Sequence, residues 1–244
     1  MKRKIVCVTG SSRGIGKAIA LCFAKEGYDV VLNCRNSVAQ MNQLKLEIET
    51  KYSVRCLGIC ADVSEPEQVA QMFQTISSEF GKIDILICNA GISFFGLISD
   101  MTPMEWQNVI HTNLSSAFYC CKQVIPSMVA QKSGRILMIS SIWGNCGASY
   151  ETAYSAAKGG LNTFTRALAK ELAPSNIPVN AISCGVIDTE MNAHLSEEDM
   201  QALIDEIPAC RLGTPKEVGD LALLLSKAPK YLTGQIITMD GGLL

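Results

Sequence analysis

The chain has 244 residues, a formal net charge of -2 and 48% hydrophobic residues, a composition typical of a globular protein and unlike that of a disordered or collagen-like chain. No stripe of lysine and arginine stands out, which argues against a nucleic acid partner. No apolar run reaches the roughly 18 residues of a membrane span. The first apolar run stops at Val8, which predicts a strand rather than an export signal.

Eleven cysteines occur without a Cys-x-x-Cys pair. This pattern predicts free thiols in a reducing cytoplasm rather than a disulfide framework. The two histidines, His111 and His194, are far apart in sequence, and we therefore predict no metal site.

Apolar segments rich in β-branched residues recur along the chain, and helix-length amphipathic segments separate most of them. These segments are residues 4–9, 28–34, 53–60, 83–88, 134–140, 177–183 and 235–239. The alternation predicts a doubly wound α/β fold of the Rossmann type, in which a seven-stranded parallel sheet lies between two layers of helices. No linker or repeat divides the chain, so we predict one domain over residues 1–244.

The first predicted strand leads into a glycine-rich loop at residues 9–16, with the sequence Thr-Gly-Ser-Ser-Arg-Gly-Ile-Gly. Glycines permit a tight turn and a close approach of backbone amides to a pyrophosphate, whose charge is favoured by the start of a helix. We therefore expect this loop to bind the phosphates of a dinucleotide, through Gly10, Ser12, Arg13, Gly14, Ile15 and Gly16.

The end of the second strand bears on the choice of nicotinamide cofactor. An acidic residue there would accept hydrogen bonds from the ribose of NAD, but residues 32–36 read Leu-Asn-Cys-Arg-Asn. Arg35 and Arg13 together are suited to hold a 2′-phosphate through charge-assisted hydrogen bonds. We predict NADP(H) as the cofactor; the alternative is that both arginines are solvated surface residues.

Two segments carry the signals of a helix start. Ser64-Glu-Pro-Glu67 and Thr214-Pro-Lys-Glu217 have the Ser/Thr-x-x-Glu spacing of a capping box, with proline near the first helical position. We expect each segment to begin a helix with a capping box.

Polar residues suited to carbonyl reduction follow the fifth strand. Tyr154 and Lys158 share a helix face at i and i+4, so the ammonium group is expected to lower the pKa of the phenol. Ser141 lies at the end of strand 134–140, where open parallel sheets place their ligands. Ser140 is the alternative, because a shift of one residue reverses the direction of a strand side chain.

The ordered motifs resemble the short-chain dehydrogenase/reductase family. The resemblance rests on the Thr-Gly-x-x-x-Gly-Ile-Gly loop, on Asn113, and on Ser141 thirteen residues before the Tyr154-x-x-x-Lys158 pair. It implies that Tyr154 donates a proton to the forming alkoxide and that Ser141 hydrogen-bonds the substrate carbonyl. It further implies that Lys158 binds the nicotinamide ribose and that Asn113 holds a water in a proton relay to Lys158.

The same resemblance implies further cofactor contacts along the chain. Asp62 and Val63 match the family's adenine contact, and the turn Cys88-Asn-Ala-Gly91 matches its Asn-Asn-Ala-Gly turn beside the adenosine ribose, with cysteine in place of the first asparagine. The contacts implied at this turn are Asn89, Ala90 and Gly91.

The segment after strand 177–183 departs from the family, because Cys184 stands where proline is usual. The resemblance still implies nicotinamide contacts from Ile187 and Thr189. A thiol at this place suggests inhibition by oxidants, and the alternative is an inert buried thiol. Residues 186–212 are the least regular region, which we interpret as a flap over the substrate; the alternative is an ordinary surface excursion.

Within the family, the chain is most similar to the 3-oxoacyl-[acyl-carrier-protein] reductases, through residues 113–116, 134–136, 211–213, 233–235 and 240–242. This similarity implies NADPH-dependent reduction of a 3-oxoacyl thioester in fatty-acid synthesis. Lys132 matches a carrier-docking position, whereas Ser175 stands where arginine is expected. The alternatives are a reductase of a steroid, sugar or other small ketone, and a non-catalytic NADP-binding or sensing protein.

The family also suggests a homotetramer. The apolar C-terminus at 241–244 and a long helix near 103–130 are candidate contacts, the latter through Trp106, Ile110, Leu114 and Phe118. The alternative for both segments is packing within the core.

Overall fold

The computed structural model describes residues 3–193 and 196–244. Within these residues a seven-stranded parallel sheet has the order β3-β2-β1-β4-β5-β6-β7. The strands are β1 (Ile5–Val8), β2 (Asp29–Cys34), β3 (Cys56–Cys60), β4 (Ile85–Cys88), β5 (Arg135–Ser141), β6 (Val179–Cys184) and β7 (Ile236–Met239). The predicted doubly wound Rossmann-type sheet is confirmed.

Helices cover both faces of this sheet. They are α1 (Gly14–Lys25), α2 (Val38–Tyr52), α3 (Pro66–Glu79), α4 (Pro103–Ile110), α5 (Ser116–Gln131), α6 (Trp143–Cys146), α7 (Thr152–Leu172), α8 (Glu197–Glu206) and α9 (Pro215–Lys227). The buried core on one face draws on α1, α2 and α9, and the core on the other draws on α3, α5 and α7. Every residue of β1 and β4 is buried as a result, which explains their apolar sequences.

The strand order reverses between β1 and β4, which are neighbours at the centre of the sheet. Chain segments leaving the carboxyl ends of these strands turn to opposite faces, and a crevice opens between them. The predicted phosphate loop and the predicted catalytic residues follow strand ends along this edge.

The two predicted capping boxes have different outcomes. The box at α9 is confirmed. The Thr214 hydroxyl accepts from the backbone N–H of Glu217, and the Glu217 carboxylate accepts from the backbone N–H of Thr214. At the other segment the predicted helix start is confirmed, because α3 begins at Pro66, but the capping box is wrong, because the N-cap is Glu65 and no side chain in the described part of the chain caps the helix. The hydroxyl of Ser64 instead donates to Asp62 Oδ1 at 2.6 Å.

The segment predicted as one long helix near 103–130 is interrupted. A π-helical turn at His111–Ser115 separates α4 from α5. Four side chains of this segment were considered as intersubunit contacts. Of these, Trp106, Ile110 and Leu114 pack beside buried Val109 and against α7, whereas Phe118 is exposed. None of the helices described for this chain is long and apolar enough to cross a bilayer.

Candidate active site

The loop between β1 and α1 has the geometry of a phosphate-binding turn. Gly10 and Gly14 adopt φ values of +60° and +54°, which favour glycine. Helix α1 begins at Gly14, and within the described residues no side chain caps its N-terminus and no acidic residue lies in its first turn. The backbone N–H groups at the start of α1 and the positive end of the helix dipole are therefore suited to a pyrophosphate group.

Asn89 holds this loop against the end of β4. Its Nδ2 donates to the carbonyl oxygens of Thr9 and Gly10, both at 2.9 Å. In return, Thr9 Oγ1 accepts from the backbone N–H groups of Asn89 and Ala90, both at 3.0 Å. A side chain on Gly16 would meet Asn89 Nδ2 at 2.5 Å, so glycine is required there by packing. The amide of Asn89, predicted as a ribose contact, thus braces the phosphate loop.

Cys88, the departure from the family's turn, faces the core on the α5 side of the sheet. Its thiol shares a hydrogen bond with that of Cys121. The side-chain hydrogen bonds that this turn donates to the phosphate loop come from Asn89. A cysteine at position 88 can therefore pack among apolar side chains without disrupting the turn.

Asn33 is a structural residue of this site that the sequence analysis did not single out. It is buried in β2; its Oδ1 accepts from Gly10 N at 3.1 Å, and its Nδ2 donates to Ala61 O at 2.9 Å. Its backbone carbonyl also accepts from Ser11 N at 2.8 Å. Asn33 therefore links the phosphate loop to the ends of β2 and β3. An amide within an apolar strand was the available signal.

The two arginines predicted to hold a 2′-phosphate are exposed, and each is paired with a carboxylate. Arg13 NH1 is 2.7 Å from Glu190 Oε2, and Arg35 NH1 is 3.6 Å from Asp62 Oδ2. Asp62 lies beside the tip of β2 because β2 and β3 are paired in parallel register, whereas Val63 is buried in the core. The guanidinium groups are thus near the predicted cofactor edge, each beside a carboxylate.

Lys158 is a buried cation on α7. Its Nζ donates to the carbonyl oxygen of Ile139 at 2.8 Å and lies 5.5 Å from the centroid of the Tyr154 ring. Burial lowers the pKa of Lys158 to about 8, while the nearby thiols of Cys184 and Cys88 act in the opposite direction. The ammonium form therefore predominates below about pH 8 and is lost above it.

Of the two adjacent serines at the end of β5, Ser141 lies beside Tyr154. Ser141 is hydrogen-bonded with Tyr154 and accepts from the backbone N–H of Trp143 at 3.2 Å. Ser140 donates to Asn162 Oδ1 at 2.6 Å. The alternation of side chains along β5 thus directs Ser141 to the Tyr154 phenol and Ser140 to a buried amide.

The expected decrease in the pKa of Tyr154 is wrong for this structure. Burial raises the pKa of the phenol above its usual range, and the hydrogen bond with Ser141 only partly offsets this effect. The Nζ of Lys158, which was expected to lower this pKa, donates to the Ile139 carbonyl. The phenol is therefore protonated at neutral pH, which is the state required of a proton donor.

Asn113 lies in the π-helical turn between α4 and α5. Its Nδ2 donates to Ile92 O at 2.7 Å, and its Oδ1 accepts from Ile92 N at 2.8 Å. A Cβ on Gly91 would lie 2.8 Å from Asn113 Oδ1 and 3.6 Å from Lys158 Nζ. Asn113 and Lys158 thus converge on Gly91, and the amide of Asn113 holds the segment after β4 in place.

The segment after β6 returns to the phosphate loop. Ile187 forms a parallel bridge with Gly213, and a Cβ on Gly14 would meet the Thr189 methyl group at 3.5 Å. Of the predicted nicotinamide contacts, Thr189 therefore lies next to the start of α1, and Ile187 is buried beside Gly213. The predicted flap at 186–212 also includes His194 and Leu195, which lie outside the described residues.

Cys184 ends β6 and is buried. Burial raises the pKa of its thiol to about 12, although the Lys158 charge acts in the opposite direction. A protonated thiol is a poor nucleophile, so the structure favours the inert alternative over oxidant inhibition through this residue.

Comparisons with known proteins agree with this geometry. The family model for short chain dehydrogenases matches residues 4–200. The 3-oxoacyl-[acyl-carrier-protein] reductase FabG of Staphylococcus aureus is 38% identical over 241 residues, covering 98% of each chain. FabG of Aquifex aeolicus is 38% identical over 244 residues, covering 100% of this chain and 98% of the relative. An uncharacterized oxidoreductase of Bacillus subtilis, YmfI, is 37% identical over 240 residues, with 98% of each chain covered.

Proposed function

The chain belongs to the short-chain dehydrogenase family, and within this family of oxidoreductases we propose that it reduces 3-oxoacyl groups on acyl carrier protein to 3-hydroxyacyl groups with NADPH. The observation that carries the proposal is the grouping of a Ser141–Tyr154 hydrogen bond with a buried lysine on the same helix face. The relatives named as 3-oxoacyl-[acyl-carrier-protein] reductases support this substrate class.

The proposed reaction assigns a separate task to each polar group. A bound nicotinamide supplies the hydride that reduces the carbonyl carbon. Ser141 donates a hydrogen bond to the carbonyl oxygen and positions it at the Tyr154 hydroxyl. Tyr154 transfers its phenolic proton to the oxygen as negative charge develops there. Lys158, as an ammonium below about pH 8, binds the nicotinamide ribose.

Proton resupply is the proposed task of the π-helical turn. Asn113 holds a water on the path to Lys158, and the two residues already converge on Gly91. The Ile92 hydrogen bonds keep Asn113 at a fixed position beside this path. π-Helical turns are frequent at functional sites, which agrees with this role.

NADP(H) is the proposed nicotinamide cofactor. The open N-terminus of α1 fits a pyrophosphate, and the tip of β2 presents Arg35 instead of a carboxylate. Both guanidinium groups are exposed, whereas Asp62 is half-buried. Exposed ion pairs such as that of Arg13 with Glu190 contribute only about 0–1 kcal/mol. A 2′-phosphate carries a charge of roughly -1.5 to -2 at neutral pH, so it can replace the carboxylates as the partner of both guanidinium groups.

Carrier docking rests on one exposed basic residue. Lys132 is exposed at the end of α5, whereas Ser175 offers no positive charge in the 3-10 turn after α7.

We further propose that the protein acts in the cytoplasm as a homotetramer. Exposed Phe118 on α5 and exposed Leu224 on α9 offer apolar contacts for assembly. Light scattering measures the molar mass in solution and so tests the proposed tetramer.

A substrate panel tests the proposed function. NADPH oxidation is followed with acetoacetyl-carrier protein, acetoacetyl-coenzyme A, a steroid ketone and a sugar ketone, and each assay is repeated with NADH. The proposal predicts the largest kcat/KM for the carrier-linked substrate with NADPH. A larger value for a steroid or sugar ketone would replace the substrate, and NADPH binding without turnover of any ketone would favour a sensing protein.

A further inference from the structure

All eleven cysteines lie within the described residues and carry free thiols, and two of them face each other at the adenosine end of the site. Cys34 and Cys60 are the last residues of β2 and β3 and are directly paired in parallel register. Paired strands lie about 4.8 Å apart, which falls within the roughly 4.4–6.8 Å Cα separation of disulfides. The two thiols also share a hydrogen bond.

The two thiols differ in exposure in a way that suits stepwise oxidation. Cys60 is exposed and its thiol donates to the backbone carbonyl of Arg35 at 3.1 Å, whereas Cys34 is buried. An oxidant in solution therefore meets Cys60 first, with Cys34 in hydrogen-bond contact as the second thiol. The thiols of Cys146 and Cys210 are also exposed and, like that of Cys60, donate to backbone carbonyl groups. Cys60 differs from them in having Cys34 as its direct partner on the neighbouring strand.

We infer that Cys34 and Cys60 form a peroxide-responsive pair whose disulfide weakens NADP(H) binding. In the first step the Cys60 sulfur attacks the peroxide, giving a sulfenic acid and releasing an alcohol, or water from hydrogen peroxide. In the second step the Cys34 sulfur attacks Cys60, forming the disulfide and releasing water. Two thiols are oxidised and one peroxide is reduced, with no other reactant.

The disulfide acts on Arg35, which follows Cys34 directly in sequence. Its formation removes the S–H group that now donates to the Arg35 carbonyl and joins the strand ends that carry Arg35 and Asp62. The effect on the cofactor rests on the proposed function, because only a 2′-phosphate needs Arg35. The disulfide should therefore weaken NADPH binding by about fivefold or more, the lower range of coupling between two sites, and leave NADH binding nearly unchanged.

The test uses the full-length protein before and after treatment with hydrogen peroxide and then with dithiothreitol. Intact mass and proteolytic peptide mapping report a Cys34–Cys60 link, and fluorescence titration reports the Kd for NADPH and for NADH. The linked peptide and the loss of NADPH affinity should appear together and should both be reversed by dithiothreitol. Cys60→Ser, whose hydroxyl keeps a donor for the Arg35 carbonyl, and Cys34→Ala should abolish both effects. Cys146→Ser and Cys210→Ser are the matched controls and should retain them.

Three results would overturn parts of this inference in distinguishable ways. A link between other cysteines, or Cys60 oxidised without a link to Cys34, refutes the thiol pair. A Cys34–Cys60 link with unchanged NADPH affinity refutes its effect on the cofactor. If the reduced protein binds neither nicotinamide cofactor, the proposed function fails, and peptide mapping still decides whether the disulfide forms.

Discussion

The catalytic side of the crevice and its adenosine side are built differently. On the catalytic side, Lys158 and Asn113 are buried, and their polar atoms bond to the backbone of neighbouring strands and loops. On the adenosine side, Arg13 and Arg35 are exposed and pair with carboxylates. Burial leaves a polar group few alternative partners, whereas an exposed arginine can exchange one anion for another.

The two sides of the crevice should therefore respond differently to mutation. A buried, hydrogen-bonded group has one geometry, so its replacement should affect the reaction itself. An exposed cation contributes through the ligand that it meets, so its replacement should affect affinity for that ligand. Substitutions on the two sides of the crevice test this contrast.

Tyr154→Phe should reduce kcat by roughly 10²–10⁴-fold, the usual contribution of a positioned proton donor. The Kd for NADPH should stay within about twofold, because the proposed tyrosine role is in proton transfer. Stopped-flow turnover and fluorescence titration measure the two quantities. Tyr231→Phe is the matched control, because Tyr231 is fully exposed. Full turnover by Tyr154→Phe would remove Tyr154 from the mechanism.

The kcat/KM for reduction should fall as the pH rises through about 8. Burial lowers the pKa of Lys158 to about 8, so its positive charge is present below that pH and lost above it. The expected loss approaches tenfold per pH unit on the alkaline side. Lys158→Arg retains its charge to higher pH, so its remaining activity should not show this alkaline decrease. A wild-type profile that is flat from about pH 7 to 9.5 would contradict the role of the ammonium.

Arg35→Ala should weaken NADPH binding by about tenfold, the lower range for a hydrogen bond to a charged group. The Kd for NADH should change less than about twofold, since NADH has no 2′-phosphate. Fluorescence titration with both cofactors measures the difference, and Arg166→Ala, at an exposed position of α7, is the control. A preference for NADH in the wild type that survives unchanged in Arg35→Ala would rule out the proposed phosphate contact.

Thr214→Ala should lower the free energy of unfolding by about 1 kcal/mol, the usual effect of losing an N-cap side chain. Ser64→Ala should change it by less than about 0.5 kcal/mol, because Ser64 does not cap α3 and Asp62 Oδ1 keeps its hydrogen bond from the Ser64 backbone N–H at 2.9 Å. Urea unfolding measures both, and Thr214→Ser should restore most of the loss. Equal losses for both alanine variants would contradict the difference in capping.

The sequence determined the sheet and the approximate positions of the site. Strand and helix periodicity are local, so the alternation of apolar segments was enough to predict the doubly wound fold. The glycine pattern before α1 and the spacing of Tyr154 and Lys158 are also local properties. They indicated a phosphate-binding turn and a shared helix face before any long-range contact was known.

Tertiary structure decided how individual polar groups are used. It separated Ser141 from Ser140, directed the amides of Asn89 and Asn33 into bracing contacts, and turned Ser64 toward Asp62 rather than a helix start. It also reversed the expected change in the pKa of Tyr154. Hydrogen-bond partners and desolvation depend on groups that are distant in sequence and meet only in the folded chain, and local spacing does not contain that information.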